Sequence, residues 1–313
     1  MRPAFSVVFL TTLIGAGQGL FLALFAGQLG ARAALVPFSP PAAFYAAGAV
    51  VALGLAGLGL FASFFHLGRP ERAWRSAARW RTSWLSREVI ALPFFMAATA
   101  AYGAAHALES GAATALGLLA LAACLTLFLC TAMIYASVKF LQEWASAFTV
   151  VNFTLMGTAS GFTLAIALAG EFAPALVQPY AIAAALLTLA ALATRLASLA
   201  RNARLRPRST LQSAIGIRHD RIAQNSQGFT AGSFNTHEFF HGASPLAMRT
   251  IRISFLLLGF LVPLALIAAG LKTGSGSIFA AAFAVQYAGF LAERWFFLAQ
   301  ANHPQNLYYQ SVS

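Results

Sequence analysis

The chain has 313 residues, of which 59% are hydrophobic and only 9% are charged. A water-soluble domain carries about 25% charged residues, so too few polar groups remain here to cover a solvated surface, and the composition fits a chain that meets lipid on its outside. The formal net charge of +12 does not indicate nucleic-acid binding, because the basic residues fall between apolar stretches rather than in one stripe on a soluble domain.

A membrane-spanning helix needs about 20 mostly apolar residues, and eight stretches qualify, running roughly over 5–29, 42–65, 89–108, 114–138, 147–169, 180–199, 253–271 and 278–300. The first is too long for the apolar segment of a signal peptide and has no small-residue cleavage site at its end, so it reads as a true helix. It carries Gly15, Gly17 and Gly19, and the second carries Gly54, Gly57 and Gly59. No strand precedes either set, so both are expected to be stripes of close helix approach rather than phosphate loops. Cys124 and Cys130 lie six apart in the fourth stretch without neighbouring His or Cys, as buried thiols do. Glu293 and Arg294, in the last stretch, point about 100° apart on a helix, so each is expected to pair with another helix rather than with its neighbour. The expected architecture is all-α: a single transmembrane domain over 1–313, with eight spans and one long extramembrane connection at about 200–252. That connection holds Phe229, Phe234, Phe239 and Phe240, which are costly to leave in water and suggest a docking surface for a partner.

Seventeen Lys and Arg residues fall at the N-terminus and in the even-numbered connections, against Arg32 and Lys272 on the other side. In this count Arg195 belongs to the sixth connection, and the positive-inside rule then places both termini in the cytoplasm. A haem-carrying bundle needs paired His at matching depth. Only His66 and His106 reach the ends of predicted spans, at opposite faces, so neither haem nor an iron–sulfur centre is expected in this chain.

The densest polar segment joins the second and third stretches and contains His66, Glu71, Arg72, Trp74, Trp80, Trp84, Ser86, Arg87 and Glu88. Two readings of it stand open. One is an interfacial belt of Trp and Arg with a solvated His and Glu. The other is a site at which a quinone exchanges protons: an imidazole titrates near neutral pH, a desolvated carboxyl can be moved into the same range, and Trp side chains offer a slot for a flat ring. Tyr135, Lys139, Glu143 and Trp144 end the fourth stretch on the same side and could line one site with His66.

The stretches His66-Leu-Gly-Arg-Pro-Glu-Arg-Ala-Trp74 and Ser83-Trp-Leu-Ser-Arg-Glu88 carry a resemblance to the anchor subunits of the dimethyl sulfoxide reductase family, within the polysulfide-reductase-like membrane subunits. Met133-Ile-Tyr-Ala-Ser-Val-Lys139, Glu293-Arg-Trp-Phe-Phe297 and His303-Pro-Gln-Asn-Leu-Tyr-Tyr309 support it over the whole chain. The resemblance implies a haem-free subunit of a bacterial inner membrane that exchanges electrons with ubiquinone or menaquinone. Its partners would be an iron–sulfur subunit and a molybdopterin catalytic subunit. The family's proton-exchanging pair corresponds to His66 and Glu88, with Arg72, Trp84, Ser86, Arg87, Tyr135 and Lys139 expected around the quinone. The charge bias puts these partners in the cytoplasm, as in the related sulfite-oxidising enzymes; a sulfoxide-reducing complex, a transporter and a purely structural anchor are the alternatives.

Overall fold

The computed structural model describes residues 1–34, 40–223, 225, 239–304 and 306. These residues are helical, with no strand among them, and include eight helical spans long and apolar enough to cross a membrane. In chain order the helices are α1 (Phe5–Arg32), α2 (Ala42–Ser63), α3 (Trp84–Ala107), α4 (Ala113–Ala136), α5 (Ala147–Phe172) and α6 (Val177–Ala203). They are followed by the short α7 (Leu211–Ile215), then α8 (Pro245–Leu256), α9 (Val262–Thr273) and α10 (Gly276–Ala299). One π-helical turn, Leu257–Leu261, joins α8 and α9 into the seventh span. Pro263 stands two residues past that turn; it has no N–H to give to the helix ladder, and the carbonyl it leaves without that donor, at Gly259, falls within the wider turn.

Helix boundaries follow caps more closely than they follow apolarity. α3 starts at Trp84, five residues before the apolar window, because the Ser83 hydroxyl accepts the Ser86 backbone N–H and so satisfies one of the four donors a helix start leaves unpaired. Ser86, Arg87 and Glu88 therefore ride on the first turns of a helix rather than in the preceding connection. α8 begins at Pro245, eight residues earlier than the window, with the Ser244 hydroxyl accepting from Ala247 N–H. α6 runs on to Ala203 and takes Arg195 with it, so that residue does not belong to a connection.

α1 sits at the centre of the bundle, packed on α2, α5, α4 and α10. Its crossing with α5 is made glycine to glycine. A Cβ at Gly19 would collide with the Gly157 carbonyl, and one at Gly161 with the Gly19 backbone. Association in lipid depends on such close backbone approach, since apolar side chains gain nothing by leaving lipid for protein. On α2 only Gly59 fits the expected stripe, against Ile14; Gly54 and Gly57 face open space. α3 packs on α4, and α10 on α5, α8 and α9.

The alternating directions of the spans put both termini and the second, fourth and sixth connections at one end, here called the terminal face. The second connection is built of 3₁₀ turns at Phe64–His66 and Pro70–Arg79. In the sixth, α7 is closed by a capping box between Thr210 and Ser213 and by Gly216 at φ 73°. Phe239 stacks on His303 of the C-terminal segment at 4.2 Å, while Phe229, Phe234 and His237 lie outside the described residues.

Candidate functional site

Glu88 points into the bundle and is 6% exposed. The Thr131 hydroxyl, on α4, donates to its Oε1 at 2.5 Å. A carboxyl buried at membrane depth is costly unless it is bonded or can take up a proton, and one donor meets only part of what its oxygens can accept. One helical turn further along α4, Tyr135 lies within electrostatic range of both Glu88 and Arg294. Its ring is fixed by Trp144, Phe153 and Phe297, with centroids at 5.2, 5.4 and 5.5 Å.

The neighbouring residue turns outward. Arg87 donates from Nε to the Trp80 carbonyl and from Nη2 to the Arg81 carbonyl, both at 2.9 Å. Its guanidinium lies 4.2 Å from the Trp84 ring centre. One cation thus ties the end of the connection to the first turn of α3 and holds two indoles at the rim of a groove. The groove, about 410 Å³, runs between α3 and α4; Arg87, Ala91 and Phe94 line one wall, and Thr126, Leu129 and Cys130 the other. On α3 the lining follows the i, i+3, i+4, i+7 spacing of a single helix face, and Glu88, next to Arg87 in the chain, is buried behind it. Cys130, next to Thr131 in the chain, is within electrostatic range of both Glu88 and Arg87.

The structure thus gathers Trp84, Ser86, Arg87, Glu88 and Tyr135 around the α3/α4 seam. It sets the other expected residues on the terminal face. His66 ends the 3₁₀ turn after α2, exposed and packed with its turn on α1 and α2; the Glu88 carboxyl is bonded to Thr131 rather than to it. Arg72 is exposed, 3.9 Å from Glu71, and Lys139 is exposed three residues past α4. Sequence reasoning missed Thr131 and Cys130. The available signal was weak: Thr131 stands four residues before Tyr135, on the same helix face.

A second buried cluster lies in the same half of the bundle. Arg195 pairs with Glu293 at 2.7 Å, and Arg294 approaches the other oxygen of Glu293 at 3.4 Å. The expectation holds for Glu293, which pairs with Arg195 on α6, and fails in that the two neighbours also pair with each other. Nearly dry, both guanidinium groups are drawn to the one carboxylate, and Arg294 gains a face-on contact with the Phe153 ring at 3.6 Å. Arg294 and Thr131 line one water-sized void together with Gln18 and Tyr287.

On the terminal face a cavity of about 570 Å³ is formed by Phe140, Glu143, Arg208, Asn302, His303 and Asn306. Burial first, and then the positive amino terminus, hold the His241 and His303 imidazoles below their ordinary pKa. Among the described residues no group of three or more His, Cys, Asp or Glu is placed to hold a metal ion.

Comparison with known proteins agrees with this architecture. Residues 2–297 match the family described as DMSO reductase anchor subunit (DmsC). The chain is also 55% identical, over the full length of both proteins, to a sulfite dehydrogenase subunit from Allochromatium vinosum. A match over nearly the whole of an eight-span helical bundle places this chain in the DMSO reductase anchor subunit family.

Proposed function

We propose that this chain is the haem-free, quinone-reactive membrane subunit of a sulfite-oxidising complex in the inner membrane of a bacterium. An iron–sulfur subunit and a molybdopterin catalytic subunit would dock on its terminal face, in the cytoplasm. The observation that carries the reading is the Glu88 carboxyl, buried and bonded to Thr131 behind a Trp-rimmed groove. The name of the Allochromatium vinosum relative supplies the substrate. Without Arg195, sixteen Lys and Arg remain on the terminal side against Arg32 and Lys272 on the other, and that bias supports a cytoplasmic terminal face.

The chemistry balances around the chain. Sulfite and one water give sulfate, two protons and two electrons in the catalytic partner. The electrons cross the iron–sulfur subunit, and the quinone takes them with two protons to become quinol. What this chain contributes is a carboxyl at Glu88 that can pass a proton to a quinone oxygen, held in place by Thr131. In this reading His66, exposed at the end of the turn after α2, exchanges protons with water.

The test is to purify the complex through a tag on this chain. The expected result is co-purified molybdenum and iron–sulfur signals, with sulfite-dependent reduction of decylubiquinone. A complex that instead uses quinol to reduce dimethyl sulfoxide and leaves sulfite untouched would favour the sulfoxide-reductase reading. A chain that purifies without metal-containing partners would overturn the proposal.

A further inference from the structure

The α3/α4 groove carries an inference that rests on the quinone-reactive reading and goes further, to the route by which the substrate reaches Glu88. We infer that the groove is the lateral binding channel of an isoprenoid quinone, with its ring near Arg87 and Cys130 and its tail against Phe94 and Leu129.

Four observations converge. Its volume of about 410 Å³ falls within the range of about 300–1,000 Å³ usual for small-ligand pockets. It is amphiphilic in the right direction: the two indoles and the Arg87 guanidinium stand at the end where α3 begins, and the walls deeper along the helices are apolar. Its rim is preformed, because Arg87 is already tied to the Trp80 and Arg81 carbonyls and stacked on Trp84. A guanidinium has five N–H donors; those carbonyls engage Nε and Nη2, which leaves Nη1 to donate to a quinone carbonyl. Finally, the groove adjoins the buried carboxyl. Its floor residue Cys130 neighbours Thr131 in the chain and lies within electrostatic range of Glu88.

A phospholipid would fill such a groove with its chains but has no use for a carboxyl behind the floor. A substrate that takes up protons at its ring oxygens does. Two further cavities fit less well: the interior void beside Arg294 holds about one water, and the cavity at the terminal face is lined by residues of the extramembrane segments.

The test fills the groove from its lipid side. Ala122 and Thr126 both line it and are both exposed, so Ala122→Phe and Thr126→Phe add bulk without forcing the core apart. Leu125→Phe, on the exposed surface of the same helix but outside the lining, is the control. In the purified complex, sulfite oxidation is measured with decylubiquinone and with ferricyanide, which draws electrons upstream of the quinone. Loss of apolar contact area in the groove is expected to raise KM for decylubiquinone about tenfold or more in both groove variants. Ferricyanide rates and the Leu125→Phe control should stay unchanged. Groove variants with wild-type quinone kinetics overturn the channel, and so do variants that alter only the bound phospholipid. Glu88→Gln, measured alongside, separates the two claims: if it blocks quinone turnover while the groove variants do not, the channel falls and the quinone-reactive reading stands. If it has no effect either, both fall.

Discussion

In the proposed mechanism the chemistry turns on Glu88 and its bond to Thr131. Thr131→Val keeps the shape of the side chain and removes the donor, which leaves a buried acceptor unpaired at a cost of about 1–3 kcal/mol. Quinone turnover should fall with it while ferricyanide turnover persists, and stopped-flow traces with the two acceptors would separate these effects. The buried ion cluster should behave differently. Arg195→Met strands Glu293 beside Arg294 alone and is expected to destabilise the chain by about 3–5 kcal/mol, as breaking a buried pair does. Adding Glu293→Gln to that variant should restore part of the loss. Thermal unfolding in detergent is the measurement, and equal melting temperatures for wild type and Arg195→Met would refute a structural role for the pair.

The helices divide their glycines into those that set a crossing and those that do not. Gly19→Ala and Gly161→Ala put a methyl where the opposing backbone already sits, so both should sharply reduce the yield of folded chain. Gly54→Ala and Gly57→Ala meet nothing and should be neutral or stabilising by up to about 1 kcal/mol each, the helix-propensity difference. Expression and melting of the four variants give the comparison. At the terminal face the sign of the pH dependence follows from His241 and His303. Their folded pKa lies below the ordinary value near 6.5, so the fold holds them neutral and bears no cost above that pH. As pH falls through 6.5 they bind protons less readily than an unfolded chain does, and stability is lost. Hydrogen exchange around residues 300–304, corrected for its intrinsic pH dependence, should therefore rise faster below pH 6 than exchange in α5. Element type and number were legible in the sequence because about 20 apolar residues in a row admit few other structures. Boundaries were not, since Ser83 and Ser244 begin helices among polar residues where hydropathy sees only a loop.

At the scale of the whole molecule, the proposed partners would dock at the end of the bundle where α3 begins and the proposed substrate groove opens. Part of the candidate site was legible in the sequence: Glu88, Arg87, Ser86, Trp84 and Tyr135 stand in recognisable motifs, and all five lie on α3 or α4, which pack together. Thr131, Cys130 and the Arg195–Glu293 pair were not readable as partners, because a contact between helices leaves no mark on the spacing within either one. His66, although it shares the motif, sits on the surface while Glu88 bonds to Thr131, so the two act at different points if protons pass from water to the quinone. The most direct test of that account is a single turnover. The assembled complex is reduced with sulfite, decylubiquinone is added, and reoxidation of the iron–sulfur absorbance is followed in wild type and in Glu88→Gln. Loss of a proton-transferring group typically costs about 10²- to 10⁴-fold. Reoxidation by the quinone should therefore slow at least about 100-fold in Glu88→Gln, while reoxidation by ferricyanide stays the same. Equal rates with decylubiquinone in the two proteins would contradict the account.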